Sequence, residues 1–257
     1  MHATERRKAI IDLLERRGFI AFRDLEKIVE GSPATLRRDL ERMAAAGYLE
    51  RVHGGARLSG QKGDEGQRLR GAPFNESISR NRAQKEAIGK AAAMLCAPGE
   101  GVMIDGGSTT LQMCDHLNGL NLQVLTNSLH IVQALIEQPG TRILVPGGAV
   151  FREQNIILSP IGEDNMPRFY APKLFMGAAS VGAGGVMQPD PVLVASDRRL
   201  IERAEELILL VDSSKFSGYS GHVVCALEEI DTVVTDEGIS DAHARTLEAA
   251  GVRLIVA

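Results

Sequence analysis

Two sets of side chains in this 257-residue chain are of types and spacings that could do chemistry. The first is Ser32-Pro33-Ala34-Thr35-Leu36-Arg37-Arg38-Asp39-Leu40, with Arg51, His53, Gly54, Gly55 and Arg57 following it. Guanidinium groups make paired hydrogen bonds to guanine edges, and small or hydroxyl residues at a helix start can approach bases closely. The second set is Gly106-Gly107-Ser108-Thr109, Thr126-Asn127-Ser128 and Lys215. Flexible glycines, hydroxyls, an amide and an ammonium group are the chemistry of anion binding.

Each set needs elements to position it. Ser32 is a good N-cap, Pro33 suits the first helical position, and Leu36, Leu40 and Met43 recur at helical spacing. Thr35, Arg37 and Arg38 therefore point away from that apolar face, near the helix start. In a helix-turn-helix, this end of the second helix enters the major groove. A first helix is predicted from about Thr4 to Arg16 on the stripe Ala9, Ile10, Leu13 and Leu14, ending near Gly18. A second follows with Phe22, Leu25, Ile28 and Val29 inward, and Gly31 turns into the recognition helix. Tyr48 to Val52 alternates as a strand, His53-Gly54-Gly55 turns, and Ala56-Arg57-Leu58 returns. Three helices and a hairpin make a winged helix-turn-helix. Adjacent arginines alone are usually a solvated face, but here they fall where a groove-reading unit needs them.

Composition agrees with this division. The chain is 44% hydrophobic and 24% charged, as expected of a soluble globular protein, with a net charge of −4. Residues 1–57 hold 12 Lys+Arg against 9 Asp+Glu, leaving 17 against 24 for the rest. A basic head on an acidic body suits a module that touches phosphates with one end only. Cys96, Cys114 and Cys225 are widely spaced and odd in number, which fits a reducing cytoplasm and buried structural thiols. Arg6, Arg7 and Lys8 interrupt any signal-like apolar run, and no stretch approaches a membrane span. No metal and no cofactor are expected.

The expected domains are 1–58, a linker at 59–73 rich in glycine and charge, and 74–257. In the last, a helix is predicted over Asn81–Cys96. Strands follow at Val102–Asp105, Leu122–Leu125, Arg142–Val145, Lys173–Met176, Leu207–Val211, Ile230–Val234 and Val252–Val256. Helices are expected between them at Leu111–Leu117, Leu129–Glu137, Val192–Glu206 and Asp241–Ala250. The fold class is α/β: a winged helix-turn-helix followed by a mostly parallel sheet covered on both faces. Ligands of such sheets bind at the carboxyl ends of the strands. There Gly106 and Gly107 permit close approach, Ser108, Thr109, Thr126, Asn127 and Ser128 offer polar groups, and Lys215 brings a positive charge. Ser108 or Thr109 could equally be an N-cap, and Lys215 a solvated surface charge. A phosphorylated or carboxylated small polyol would satisfy the set.

Residues 5–57 resemble the DeoR family of bacterial transcriptional regulators, with Ser-x-x-Thr-x-Arg-Arg-Asp-Leu standing at Ser32–Leu40. The companion signature stands as Gly47-Tyr48-Leu49-Glu50-Arg51-Val52-His53-Gly54-Gly55-Ala56. Further along, Asp105–Thr110, Thr126-Asn127-Ser128, Gly147-Gly148 and Asp212-Ser213-Ser214-Lys215-Phe216 are similar to the loops of that family's effector domain. That domain is related in fold to ribose-phosphate isomerase and CoA transferases. The resemblance implies a repressor of sugar catabolism that releases operator DNA on binding a sugar phosphate or sugar-acid phosphate. It implies a pocket lined by Asp105, Gly107, Ser108, Thr109, Thr126, Asn127 and Lys215, with Gly106, Ser128 and Gly147 in the same loops. A usual Asn-x-x-Glu-Ala stretch is replaced by Gln188-Pro189-Asp190-Pro191-Val192-Leu193-Val194-Ala195, so Asp190 is the expected acidic substitute. With Leu158–Gly162, this is similar to the branch that contains the ascorbate-utilisation repressor.

Symmetric pairing of two heads on related half-sites is expected, in a homodimer or homotetramer. A sugar-phosphate isomerase or transferase, with Asp105, Asp190 and Lys215 as actors, is the rival, and a transcriptional activator the third reading. A metabolic isomerase has no use for Arg37, Arg38 and a basic hairpin.

Overall fold

In a computed structural model, residues 3–17, 19–29, 31–45, 49–52, 55–58, 74–159, 165–218 and 220–257 are described. His53 and Gly54, at the expected hairpin tip, lie outside them, as does the expected linker 59–73. The chain divides into two units, residues 1–64 and 65–257.

The first unit is built around the predicted apolar stripes. Helices α1 (Ala3–Arg17), α2 (Phe22–Ile28) and α3 (Pro33–Ala45) bury Ile10, Leu14, Leu25, Leu36, Leu40 and Met43. Strands β1 (Phe19–Ala21), β2 (Leu49–Val52) and β3 (Gly55–Leu58) form an antiparallel sheet in the order β1-β3-β2, closing that core with Ile20, Leu49 and Ala56. The hairpin is thus three-stranded, because Phe19–Ala21 pairs with Gly55–Arg57. Ile28, expected inward, is the last residue of α2 and is exposed, whereas Val29 beyond it is buried.

The second unit opens with α4 (Phe74–Ser77) and α5 (Arg82–Ala93). Then come β4 (Gly101–Ile104), α6 (Thr110–Met113), β5 (Gln123–Leu125), α7 (Leu129–Leu135) and β6 (Arg142–Leu144). A hairpin of β7 (Ala149–Phe151) and β8 (Ile156–Leu158) precedes β9 (Ala171–Met176). After β10 (Ser180–Gly182), β11 (Gly185–Gln188) and α8 (Pro191–Ile201) come β12 (Ala204–Leu210), β13 (His222–Cys225), β14 (Thr232–Thr235), α9 (Asp241–Ala249) and β15 (Arg253–Val256).

Seven of these strands form one sheet, ordered β15-β14-β12-β9-β4-β5-β6, with every neighbouring pair parallel. The strands alternate two apolar faces. Met103, Leu174, Met176, Leu207 and Leu209 lie in one core, and Val102, Ile104, Phe175, Ile208 and Leu210 in the other. This is the double burial that near-continuous apolar strands require. From β4 the chain runs outward to β6, then returns to place β9 on the opposite side of β4. The order therefore reverses between β4 and β9, the position at which open α/β sheets bind ligands outside the carboxyl ends of their strands.

Two predicted helices are corrected. The helix predicted over Val192–Glu206 ends at Ile201, and Ala204–Glu206 belongs to β12. Those residues favour helix, but pairing of Ala204 with Ala171 and of Glu206 with Lys173 on β9 outweighs propensity. The helix predicted over Leu111–Leu117 is a single α turn continued by a 3-10 turn at Cys114–His116. The antiparallel sheet β10-β11-β13 and the hairpin β7–β8 had no counterpart in the predicted alternation. Among the described residues, no helix is long and apolar enough to cross a membrane.

Candidate functional site

The head presents its basic residues from a capped helix. Ser32 Oγ accepts the Thr35 backbone N–H at 3.2 Å and lies 2.8 Å from Thr35 Oγ1, fixing the start of α3. Pro33, Arg37 and Arg38 are exposed, and Thr35 is half-buried. The Arg37 guanidinium sits over the Phe22 ring, 4.9 Å from its centroid, so α2 orients it. Arg51 lies on β2 and Arg57 on β3; His53 and Gly54 fall outside the described residues.

Asp39, the third member of Arg-Arg-Asp, turns inward. Its carboxylate accepts Arg6 Nε at 2.7 Å and lies 3.5 Å from Arg7 Nε, joining α3 to α1. The sequence carried a signal for this. Asp39 stands three residues after Leu36, on the stripe that faces the core.

In the second unit, the loop after β4 and the loop after β5 are locked together. Asn127 Oδ1 accepts the Gly106 N–H at 3.1 Å, and Asn127 Nδ2 donates to Asp105 Oδ1 at 3.2 Å and to Ser196 Oγ at 3.3 Å. Gly106 is required there, since a Cβ would meet Ile156 Cγ2 at 2.5 Å. Asp197, beside Ser196, is 3% exposed and accepts Gln188 Nε2 at 2.9 Å. Burial pushes the Asp105 carboxyl up, and burial followed by the Asp105 charge pushes Asp197 well above the usual carboxylate range. Two buried carboxyls in one field hold a proton at one of them more tightly than a lone surface aspartate would.

A second cluster forms at the carboxyl end of β12. Asn81, with a left-handed φ of 51°, donates to Asp212 Oδ1 at 2.8 Å and to Ser214 Oγ at 3.3 Å. Lys85, one turn further along α5, is 2% exposed and donates to the Ser77 carbonyl. Burial lowers its ammonium to about 8, with the Lys215 and Arg80 charges acting the same way and Asp212 opposing them. Lys215 lies on the 3-10 turn Ser213–Ser217, and neither it nor Lys85 forms an ion pair among the described residues.

The expected residues thus divide. Asp105, Gly106 and Asn127 meet directly. Gly107 lies beside Gly177 at the end of β9, bordering the reversal of strand order. Ser108 is half-buried and Thr109 buried, and neither hydroxyl has a hydrogen-bond partner among the described residues. Thr126 Oγ1 accepts the Ser128 N–H at 3.1 Å, and Ser128 caps α7 by accepting Ile131 N–H at 3.4 Å, so both are taken up by the turn. Gly147 is exposed and donates its N–H to the Asn165 carbonyl at 3.0 Å. Asp190 is the N-cap of α8, accepting the Val192 N–H at 2.9 Å; the acidic group brought to Asp105 is Asp197 instead. Because α6 is so short, it adds little helix dipole to the loop before it.

Lys85, Asn81, Ser196 and Asp197 were missed. Three of them sit inside buried helical stripes, Lys85 with Ile88 and Ala92, and Ser196 and Asp197 with Leu193 and Leu200, whereas Asn81 is the exposed N-cap of α5. A charge on an apolar stripe was the available signal. Among the described residues, no group of three His, Cys, Asp or Glu could hold a metal ion. Burial raises the thiols of Cys96, Cys114 and Cys225 to about 12, leaving them unreactive.

Comparison with known proteins gives two consecutive matches. Residues 6–62 match the DeoR-like helix-turn-helix domain and residues 80–237 the DeoR C terminal sensor domain. The HTH-type transcriptional regulator UlaR of Shigella dysenteriae serotype 1 is 31% identical over 259 residues, covering 99% of each chain. The protein of that name from Salmonella arizonae is 30% identical, again over 99% of both. Among solved structures, ribose 5-phosphate isomerase A of Methanocaldococcus jannaschii aligns with 53% of this chain and 55% of its own, at 15% identity and a TM-score of 0.40.

Proposed function

Since the chain belongs to the DeoR family of transcriptional regulators, we propose that it represses a carbohydrate catabolic operon and releases its operator when a phosphorylated sugar or sugar acid binds the sheet edge. The chain is a DNA-binding transcriptional regulator rather than an enzyme. Residues 1–58 read DNA, 59–73 connect, and 74–257 sense the effector. Arg37 and Arg38 reach base edges or phosphates from α3, with Ser32, Pro33 and Thr35 shaping its start. Arg51, His53, Gly54 and Arg57 join them in binding DNA. Two or four copies combine to place paired heads on an operator.

One observation supports the effector reading above the rest. Lys85 and Lys215, neither in an ion pair, share a field at the end of β12, while Asp105, Asn127 and Asp197 cluster at the end of β4. Only β9 separates these strands, so the two clusters stand about 10 Å apart at the usual strand spacing. A phosphate fits the cations, with Ser108 and Thr109 supplying hydroxyls, and sugar hydroxyls fit the carboxyl and amide groups. The length of a five- or six-carbon sugar phosphate spans the two.

A thermal-shift screen of phosphorylated sugars and sugar acids tests this. A ligand at about 100 times its Kd adds ~2.7 kcal/mol of stability. The binder should also free an in vitro selected duplex from the full chain, and Lys215→Ala should keep the duplex but lose the release. Unchanged release by Lys215→Ala overturns the assignment of the cation, and failure of every compound in both assays overturns the effector.

A further inference from the structure

The hairpin β7–β8 touches both loops of the effector edge. Ile156 lies against Gly106, bridges to Ser128, and is followed by Ile157, whose N–H donates to the Asn127 carbonyl at 2.7 Å. At the other end of the same contact, the Leu129 N–H donates to the Asn155 carbonyl at 3.0 Å. The hairpin is therefore hydrogen-bonded to the very turn that carries Asn127. Any ligand that displaces Asn127 must move Ile157 or break its bond.

The turn of this hairpin reaches the beginning of the unit. Asn155, held in the left-handed region at φ 52°, places Nδ2 3.0 Å from His130 Nε2. His130 stacks on Phe74 with ring centroids 4.1 Å apart and planes 12° from parallel. Phe74 is 3% exposed and its N–H donates to the Glu153 carbonyl at 3.3 Å. In sequence, Phe74 comes directly after residues 59–73, which lead back to the DNA-reading head.

We propose that Phe74, His130 and Asn155 are positioning residues that tie residue 74, next in sequence to residues 59–73, to the hairpin on the effector loops, so that occupancy of the site shifts the chain leading to the head. This rests on the effector reading above. The clasp touches neither DNA nor effector in that reading. Its role is coupling, the ratio of operator affinities without and with effector. Aromatic stacking and a side-chain hydrogen bond hold a discrete packed arrangement, which is what a two-state connection requires.

The test uses the full chain, a duplex selected in vitro with the wild type, and three probes: D-ribose 5-phosphate, 6-phospho-D-gluconate and its 1,5-lactone. Phe74→Leu keeps an apolar anchor without the stack. Asn155→Gly keeps the left-handed backbone without the hydrogen bond to His130. Both variants should bind duplex and probe separately within about threefold of wild type, measured by gel shift and calorimetry. Their coupling ratio should fall at least tenfold, equivalent to ~1.4 kcal/mol. Hydrogen exchange at the Leu129 and Ile157 amides should become faster. Should Phe74→Leu unfold, Asn155→Gly decides alone. A wild type released by a probe, beside variants released equally well, overturns the clasp and leaves the effector reading standing. A wild type that no probe releases overturns both.

Discussion

Replacing Asp39 by alanine strips the buried carboxylate from Arg6, its partner at 2.7 Å, with the two side chains 4% and 11% exposed. Removing one member of a buried pair costs about 3–5 kcal/mol, because the surviving charge stays in a poorly solvated place. The unit that loses it is small. For residues 1–64, a total stability of about 3–10 kcal/mol is ordinary at ~0.05–0.15 kcal/mol per residue. The loss is of the order of the whole, and at ~4–8 °C per kcal/mol the head transition should fall by more than ~10 °C. Calorimetry of the full chain should show that transition fall while the transition of residues 65–257 stays in place. Operator binding should vanish only at temperatures where the head has melted. The double change Arg6→Met with Asp39→Leu should recover part of the loss, since the two most buried charges leave together and Arg7, 38% exposed, stays in reach of water. An Asp39→Ala chain with an unmoved head transition refutes the clamp, and one that loses operator affinity while its head is still folded assigns Asp39 to DNA instead.

Arg38→Ala should cost about 1–3 kcal/mol of operator affinity in gel-shift titrations. Phe22→Leu, which removes the platform under Arg37, should cost ~0.5–1 kcal/mol; equal affinity to wild type in both would remove α3 from the interface. Anion binding should weaken as pH rises through about 8, the value to which Lys85 is lowered, by up to about tenfold per pH unit, because the bound anion requires the ammonium form. Over the same interval the unliganded chain should gain stability, since the unfolded lysine keeps its proton to its ordinary value near 10.5. Calorimetry in buffers of different ionisation enthalpy should detect proton uptake on binding above pH 8, and its absence would sink the role of Lys85. Asp197 is raised on folding, so it costs stability as pH rises from its unfolded value through its folded one. Asp197→Asn, which can still accept from Gln188, should therefore raise the melting temperature of residues 65–257 at pH 7.5, by about 2–8 °C for ~1–2 kcal/mol. A lower melting temperature would show the carboxylate to be stabilising.

The sequence alone determined the architecture of the head and the class of the body. Ser32, Pro33 and the Leu36–Leu40–Met43 stripe are local signals, read within a few residues of one another, and they define α3 without knowledge of anything it packs on. Apolar strands alternating with amphipathic segments gave a parallel sheet for the same reason. Where local preference and long-range pairing disagreed, as at Ala204–Glu206, pairing prevailed. Only the tertiary structure decided which polar groups meet. Asn81 and Asp212 are bonded across 131 residues, and Asp197 reaches Asp105 from a helix whose expected acidic residue, Asp190, is spent on its cap. Such meetings depend on strand order. Periodicity tells a segment which face to bury but not which strand to lie beside, and it was the return of β9 to the flank of β4 that brought these loops to one edge.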